Sequence, residues 1–306
     1  MTAEPLTSQG DARPGQPDGP APVDQVPFML ELLFDESDAV VSACHKGLVQ
    51  NAEAAEPLLR ERLQQAEGDR AAALTAVLSD VVSSRLEDPL VETVIAGGDL
   101  ETVSVLLGRL VDPDLVIDDG DDVAARVRAQ LDAMADEVAE ELMGSDDPDQ
   151  QLGVLVEVLF RRHDLRGADP SKATLLEASL HGTLSTARGL PLPLSIVWLL
   201  VARRVGLPVE ALNMPAHFLL RHRHPDVDRI IDPYHGGRVV PHDNCQRILS
   251  RAGFPSDDLE QLKCEDHELV LRTLRNLVMI SGRLGRRFLQ ARCSRVLARL
   301  GEHFGP

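Results

Sequence analysis

Residues 188–208 read RGLPLPLSIVWLLVARRVGLP, a turn-rich entry followed by a long apolar run. Its entry contains a glycine and two prolines, so it is turn-rich and cannot be helix interior. Leu194–Val205 is apolar on nearly every side up to a pair of arginines, which predicts a buried helix with a polar end. Gly206 can cap this helix, and Pro208 prevents its continuation.

Short strands are predicted on the C-terminal side of this helix, at Val209–Leu212, His217–His222, Asp228–Asp232 and Arg238–Val240. The second and third of them flank Arg223–Asp226, which is rich in turn-forming residues, so they form a hairpin. The buried helix and this small antiparallel sheet predict an α+β protein that is predominantly helical.

The turn of the hairpin decides which residues face each other. If it is centred between His224 and Pro225, His217 lies directly opposite Asp232, with Cβ atoms about 4.5–5.5 Å apart. If Pro225 takes the second turn position, which proline prefers, Asp232 becomes a diagonal neighbour of His217 on the same face. Either register predicts an imidazole beside a carboxylate, the arrangement of a general base and the residue that orients it.

A nucleophile for this pair is missing from the expected place. The start of the buried helix near Pro193 would lower the pKa of a thiol, but no cysteine lies between Cys44 and Cys245. Ser195 carries the hydroxyl at the helix start, roughly 200° around the helix from position 193. The candidate catalytic residues are therefore His217, Asp232 and Ser195, and Cys245 would have to swing towards the pair.

Four motifs occur in one order, at residues 188–195, 202–208, 215–218 and 231–237. They resemble the runs R-G-x-P-[IL]-[ST]-L-S, A-R-R-x-G-L-P, P-G-H-F and I-D-P-[FY]-x-G-G of the SirB-type branch of the transglutaminase-like superfamily. The resemblance covers about residues 170–250, and a looser similarity extends upstream from there to about residue 95. It implies a papain-related core with Cys, His and Asp, followed by a tetratricopeptide-like tail.

The chain departs from this pattern at its chemistry. Pro193 stands where many relatives have Ser or Thr, and Ala216 replaces the glycine of P-G-H-F. His217 and Asp232 match, whereas the cysteine has no counterpart. A base and the residue that orients it cannot perform acyl transfer alone.

Composition limits the function further. Asp and Glu number 49 against 31 Lys and Arg, a net charge of −18, which argues against nucleic-acid binding. The four cysteines have no zinc-ligand spacing, and no apolar run approaches the length of a membrane span. We therefore expect a soluble, cytoplasmic chain with reduced thiols, no cofactor and no membrane partner.

The histidine-rich hairpin offers a metal site as an alternative. Half of the ten histidines lie between His217 and His242. Strand alternation puts His217 and His222 on opposite faces, and His224 lies in the turn, which argues against a tight tetrahedral site.

The predicted regions are a disordered tail (1–26), HEAT-like helices (27–110), the core (111–250) and a helical tail (251–306). In the HEAT-like part, Asp38 can cap one helix and Glu56-Pro57 can open the next. The Asp-rich stretch 112–122 is predicted to be a turn that caps a helix over 121–142, because the EF-hand order is absent.

Arginines provide two further expectations. Those that recur from 272 to 299 are predicted to form a solvated face, with an acidic partner or the chain's own Asp-rich segment as alternatives. Arg203 and Arg204 are expected to form ion pairs or to complement the dipole of the buried helix.

Three functions remain open at this point. The first is a non-catalytic transglutaminase-like binding or scaffold module with a protein partner on its helical flanks. The second is an amide or ester hydrolase or acyl transferase that uses His217, Asp232 and Ser195. The third is a metal- or small-molecule-binding protein built on the hairpin.

Overall fold

The computed structural model describes residues 23–112, 121–215, 218–225, 227–254 and 259–305, with the backbone alone for 121, 122 and 259. His217, Ala216 and most of the Asp-rich stretch therefore lie outside the described residues. The predicted tail 1–26 does so up to residue 22, and Val23–Gln25 form a 3-10 turn.

Helices occupy the N-terminal part of the described chain. They are α1 (Val26–Glu31), α2 (Asp38–Gln50), α3 (Ala52–Gln64), α4 (Gly68–Ser84), α5 (Glu87–Ile95) and α6 (Leu100–Val111). Apolar side chains of α1–α4 enclose a small core of their own, centred on Leu30, Leu48, Leu59 and Leu78.

One predicted helix start is wrong. Glu56-Pro57 was expected to open a helix, but α3 begins at Ala52 and Pro57 lies inside it. Proline has no backbone N–H, so it cannot form the helical hydrogen bond to the carbonyl four residues earlier. Burial of Ala55 and Leu59 on either side of it outweighs that single loss.

The middle of the chain contains α7 (Asp121–Leu142), α8 (Pro148–Val156), α9 (Leu180–Thr186), α10 (Pro191–Arg204) and α11 (His242–Arg251). The predicted helix over 121–142 is confirmed. A short parallel pair joins β1 (Arg166–Gly167) to β2 (Arg188–Gly189) just before α10.

The main sheet consists of β3 (Val209–Leu212), β4 (Leu219–Arg223), β5 (Asp228–Asp232), β6 (Arg238–Val240) and β7 (Lys263–Cys264). Its order within the described residues is β6-β5-β4-β3-β7, antiparallel throughout. Three strands have the predicted bounds. β7 was not predicted, because two residues are too short to show alternation.

The hairpin adopts the register in which Pro225 takes the second turn position. Leu220 pairs with Ile231, and His224 and Val227 exchange both backbone hydrogen bonds across the turn, at 3.1 and 3.2 Å. This is the register of the second prediction; because His217 lies outside the described residues, its diagonal relation to Asp232 stays a prediction.

Helix α10 is the centre of the main core. Its side chains from Leu192 to Ala202 are all buried, and Trp198 is fully enclosed. Arg203 pairs with Asp266 at 2.6 Å, and Arg204 reaches Glu101 at 2.6 Å. The predicted buried helix and the ion pairs at its polar end are both confirmed.

In the C-terminal pair, α12 (Asp266–Arg283) and α13 (Arg287–Phe304), most arginines of the predicted solvated face are exposed, but Arg292 is an exception. Arg292 is only 1% exposed and donates to the backbone carbonyl of Asp80 at 2.5 Å. Arg295 pairs with Glu87 and Arg299 with Asp88. Because helices α4 and α5 present carboxylates here, these arginines attach the N-terminal helices to the C-terminal ones.

The fold class follows from these elements. The described chain is mostly helical with a small antiparallel sheet, as the α+β prediction required. Among the helices of the described residues, none combines the length and apolar character needed to cross a bilayer.

Candidate functional site

A cavity of about 440 Å³ opens at the start of α10. The end of β5 and the turn after it form one wall, and α12 forms the opposite wall. Its lining residues are Pro170, Leu190, Pro191, Leu192, Phe218, Asp232, Tyr234, His235, Arg272, Asn276, Met279, Ile280 and Arg283.

Asp232 and His235 form the titratable pair on the first wall. Asp232 is 5% exposed and caps the 3-10 turn Pro233–His235, accepting from the backbone N–H of His235 at 3.2 Å. Its Oδ2 lies 2.6 Å from Nδ1 of the same imidazole. An ionised carboxylate only accepts hydrogen bonds, so Nδ1 carries the proton and Nε2 is the basic nitrogen.

Sequence reasoning assigned His217, not His235, to Asp232. His217 lies outside the described residues, so that pairing stays a prediction. The signal that could have found His235 is Asp-Pro-Tyr-His itself, because an aspartate before proline commonly caps the backbone three residues on.

The turn between Asp232 and Gly237 is held by neighbours on both sides. Tyr234 donates its hydroxyl to the carbonyl of Ala168 at 2.8 Å, and its ring meets the His235 imidazole edge-on at 5.0 Å. Gly237 has φ +74° and lies against α10, where a Cβ would come within 2.8 Å of the Trp198 ring.

The opposite wall is basic. Arg283 donates to the carbonyls of Pro170 and Ser171, both at 2.8 Å, and also to Ala173. Arg272 donates to the Asn213 side chain.

The Arg272 guanidinium also lies 5.2 Å from the centre of the Phe218 ring. Burial lowers the pKa of Arg272, and the nearby charge of Arg275 lowers it further. This wall therefore carries two guanidinium groups, both held in place by hydrogen bonds to the chain.

Ser195 is placed away from this cavity. It is fully buried in α10, does not line the cavity, and its hydroxyl donates to the carbonyl of Pro191 at 2.8 Å. To act on a substrate it would have to break this bond, and the start of the helix would have to rearrange.

The cysteines are free and buried, and none of them lines the cavity. Burial raises the pKa of Cys245 to about 11 and the pKa values of Cys264 and Cys293 to about 12. Burial also raises the pKa of Cys44. Thiolate, the nucleophilic form, is therefore scarce at neutral pH.

The hairpin histidines do not assemble into a metal centre within the part of the chain that the structure describes. His222 is fully buried, its ring nitrogens have no hydrogen-bond partner there, and its centroid lies 6.2 Å from that of His224. No group of three His, Cys, Asp or Glu side chains suited to a metal ion occurs among those residues. His217 and Asp226 lie outside them.

Comparison with known proteins gives a family match for part of the chain. Residues 125–275 match the family model described as the transglutaminase-like superfamily. A UPF0162 protein of Xylella fastidiosa (strain Temecula1) is 32% identical over 115 residues, 35% of this chain and 40% of that protein. A UPF0162 protein of Pseudomonas aeruginosa is 32% identical over 105 residues, 33% of this chain and 38% of that protein.

A eukaryotic relative matches a shorter segment. F-box only protein 21 of Mus musculus is 35% identical over 72 residues, 24% of this chain and 12% of that protein. The matched part thus spans about two fifths of the UPF0162 relatives and much less of the F-box protein. No solved structure matches the chain.

Proposed function

We propose, from the premise that residues 125–275 are a transglutaminase-like superfamily domain, that this chain is a non-catalytic member that binds a ligand in the cavity at the start of α10. The observation that carries the proposal is Pro193. By resemblance, this position belongs to the nucleophile, and a proline side chain has no nucleophilic atom.

Proline also removes a backbone donor that acyl transfer needs. An oxyanion formed at a helix start is stabilised by preorganised N–H groups, each worth about 3 kcal/mol. Pro191 and Pro193 have none, and the N–H of Leu194 donates to the carbonyl of Leu190, so the first turn of α10 can offer only the N–H of Leu192. One substitution pattern thus removes the nucleophile and weakens the oxyanion site.

The remaining thiols do not replace what is lost. Cys245, Cys264 and Cys293 are buried, and their raised pKa values keep them protonated at neutral pH. The cavity itself stays open, with a volume within the range of about 300–1,000 Å³ typical of small-molecule sites. A cavity that is open, has polar groups at its edge and is lined by no cysteine or serine of the described residues supports ligand binding without covalent catalysis.

The finer family assignment is part of this proposal. The domain is of the SirB-type branch, supported by the motifs at residues 188–195 and 231–237. A cytoplasmic location is proposed with it and is supported by four free, widely spaced cysteines.

A protein partner on the helical flanks completes the proposal. Near the N-terminus, apolar side chains face solvent, among them Val23, Phe28, Leu32 and Phe34, with Phe28 70% exposed. Exposed apolar groups of this kind support a protein contact. The net charge of −18 argues against a nucleic-acid partner.

The test is covalent labelling of the purified chain with a fluorophosphonate probe and a thiol-directed acyl probe, read by intact mass. We expect no label on the folded chain and thiol labelling after unfolding in guanidinium, which shows that the second probe is active. Ser195→Ala and Cys245→Ala serve as matched controls. Label at Ser195 that is lost in His217→Ala would overturn the proposal.

One observation favours a second function, hydrolysis of an amide or ester. The Asp232–His235 pair lines the cavity and leaves Nε2 as a base. Nε2 would take a proton from water as its oxygen attacks the carbonyl carbon, then return the proton to the leaving group. Hydrolysis of a p-nitrophenyl ester that is lost in His235→Ala with the fold intact would establish it.

A further inference from the structure

We propose that the cavity at the start of α10 receives the carboxylate of a ligand with an apolar body, and that Arg272 binds this carboxylate. The inference rests on the proposed binding function and names its ligand class. It is carried by the distribution of charged and apolar groups over the two walls.

The charge balance of the cavity differs from that of the chain. The protein carries −18 overall, yet two guanidinium groups line the cavity, those of Arg272 and Arg283. The carboxylate among the lining residues, Asp232, is already engaged by His235 at 2.6 Å, with Arg238 at 3.5 Å. A cavity with low-dielectric walls focuses such a field, so it attracts an anion.

Arg272 is held in a fixed orientation. Its guanidinium lies over the Phe218 ring at 5.2 Å, and the side chain of Asn213 accepts a hydrogen bond from it. A planar guanidinium matches the two oxygens of a carboxylate, and one already fixed loses little entropy on binding. Because burial disfavours its charge, an incoming anion stabilises the cation.

Two further polar side chains of helix α12 line the cavity beside Arg272. Asn276 lies one turn after Arg272 and lines the cavity with it, so its amide can donate to the ligand as well. Arg283 binds the backbone carbonyls of Pro170 and Ser171 and contributes its charge from there.

Apolar groups complete the site. Leu190, Leu192, Phe218, Met279 and Ile280 line the same cavity. Its 440 Å³ suits one apolar side chain or a short acyl or aryl group attached to the carboxylate. The C-terminal residue of a polypeptide and a free small acid share this chemistry.

Binding can be detected at the cavity itself, because the chain has a single tyrosine and a single tryptophan. Tyr234 is the single tyrosine and lines the cavity, whereas the single tryptophan, Trp198, is buried in α10. Fluorotyrosine and fluorotryptophan therefore each give one ¹⁹F signal, one at the site and one in the core. The full chain is titrated with 4-phenylbutyrate, 4-phenylbutanamide, and a peptide ending in Gly-Gly-Leu as the free acid or the amide.

We expect the acids to shift the Tyr234 signal saturably and to bind at least tenfold more tightly than their amides. The Trp198 signal should stay in place. Whichever acid binds more tightly identifies the source of the carboxylate.

Variants of α12 test the residue assigned. Arg272→Gln should weaken acid binding at least tenfold, and Arg272→Lys should weaken it less, because it keeps the charge but loses the fork. The matched control is Arg275→Gln, an exposed arginine on the same helix. If Arg272→Gln does not fold, Asn276→Asp puts a carboxylate on the same wall and should abolish acid binding but not amide binding.

The outcomes separate the two proposals. Equal affinities of acid and amide would overturn the carboxylate assignment and leave the cavity as a binding site. No shift of Tyr234 with any of the four compounds would overturn the carboxylate site itself. Covalent labelling at a serine or thiol would overturn the non-catalytic function without changing the measured preference for acids.

Discussion

Oδ2 of Asp232 lies 2.6 Å from Nδ1 of His235, three residues further along the chain. The hairpin register places Asp232 at the end of β5, and the 3-10 turn that it caps brings the imidazole back onto its carboxylate. The pair is therefore built by local structure, and the close packing of Gly237 against Trp198 sets it beside α10.

Replacing Asp232 by Asn tests this geometry. In the variant, the side-chain NH₂ of the new asparagine would face Nδ1, and both groups cannot donate to each other. We therefore expect the neutral imidazole to carry its proton on Nε2 instead of Nδ1. The tautomer is read from ¹⁵N shifts of the ring. We also expect a loss of about 1–3 kcal/mol in unfolding free energy. Arg238→Gln, at an exposed neighbour of the same carboxylate, should leave the tautomer unchanged, and an unchanged tautomer in Asp232→Asn would contradict the assignment.

Gly236 and Gly237 form a matched pair for the approach to α10. Both have φ +74°, but a Cβ on Gly236 meets nothing within 4 Å, whereas one on Gly237 would lie 2.6 Å from Val156 and 2.8 Å from Trp198. Gly236→Ala should cost about 1 kcal/mol for the left-handed backbone alone. Gly237→Ala should cost about 1–3 kcal/mol more, because it overpacks the core. Urea unfolding measures both, and equal losses would show that the close approach is absent.

Arg292 and Arg295 both reach Glu87 but differ in burial. Arg292 is enclosed, 3.3 Å from Glu87 and 3.6 Å from Asp80, whereas the Arg295 side chain is 56% exposed. Arg292→Met should lower the unfolding free energy by about 3–5 kcal/mol, because it leaves two carboxylates without their buried cation. Arg295→Met should cost less than about 1 kcal/mol. Similar losses in the two variants would mean that burial does not set the strength of this junction.

His222 makes stability depend on pH. Burial lowers the pKa of this imidazole, the positive charge of His224 lowers it further, and Asp228 opposes both effects. The unfolded chain therefore binds a proton first as pH falls below about 6.5, and stability is lost from there down to the lowered folded pKa. His222→Leu should flatten the fall between pH 7 and 5, whereas His303→Leu, at an exposed position, should not.

A separate acid limit distinguishes this effect. The Arg221 side chain holds the pKa of Asp228 below its ordinary value, so the stability from that pair is present above about pH 4 and is lost below it. A fall in stability at pH 6 that persists in His222→Leu would therefore assign the titration to another group.

The sequence predicted the elements that local patterning controls. The continuous apolar run of α10 leaves no polar face, and of the two registers open for the hairpin of β4 and β5, the one with Pro225 in the second turn position is found. Charge complementarity also placed Arg203 and Arg204 correctly. The position of Pro57 inside α3 was missed because burial of its neighbours outweighs the lost hydrogen bond, and β7 was missed because two residues are too short to show alternation.

The candidate site divides in the same way. The sequence alone determined that the helix start has no cysteine and that Pro193 removes a backbone donor, since these are properties of single residues. The His235 imidazole lies on Asp232 through local capping, which the sequence Asp-Pro-Tyr-His could have indicated. Packing between distant elements, in contrast, buries Ser195 away from the cavity and sets Arg272 in its opposite wall. Leu190 and Arg272 are far apart in the sequence and line the same cavity, because the free energy of packing α10 and α12 against the sheet brings them together.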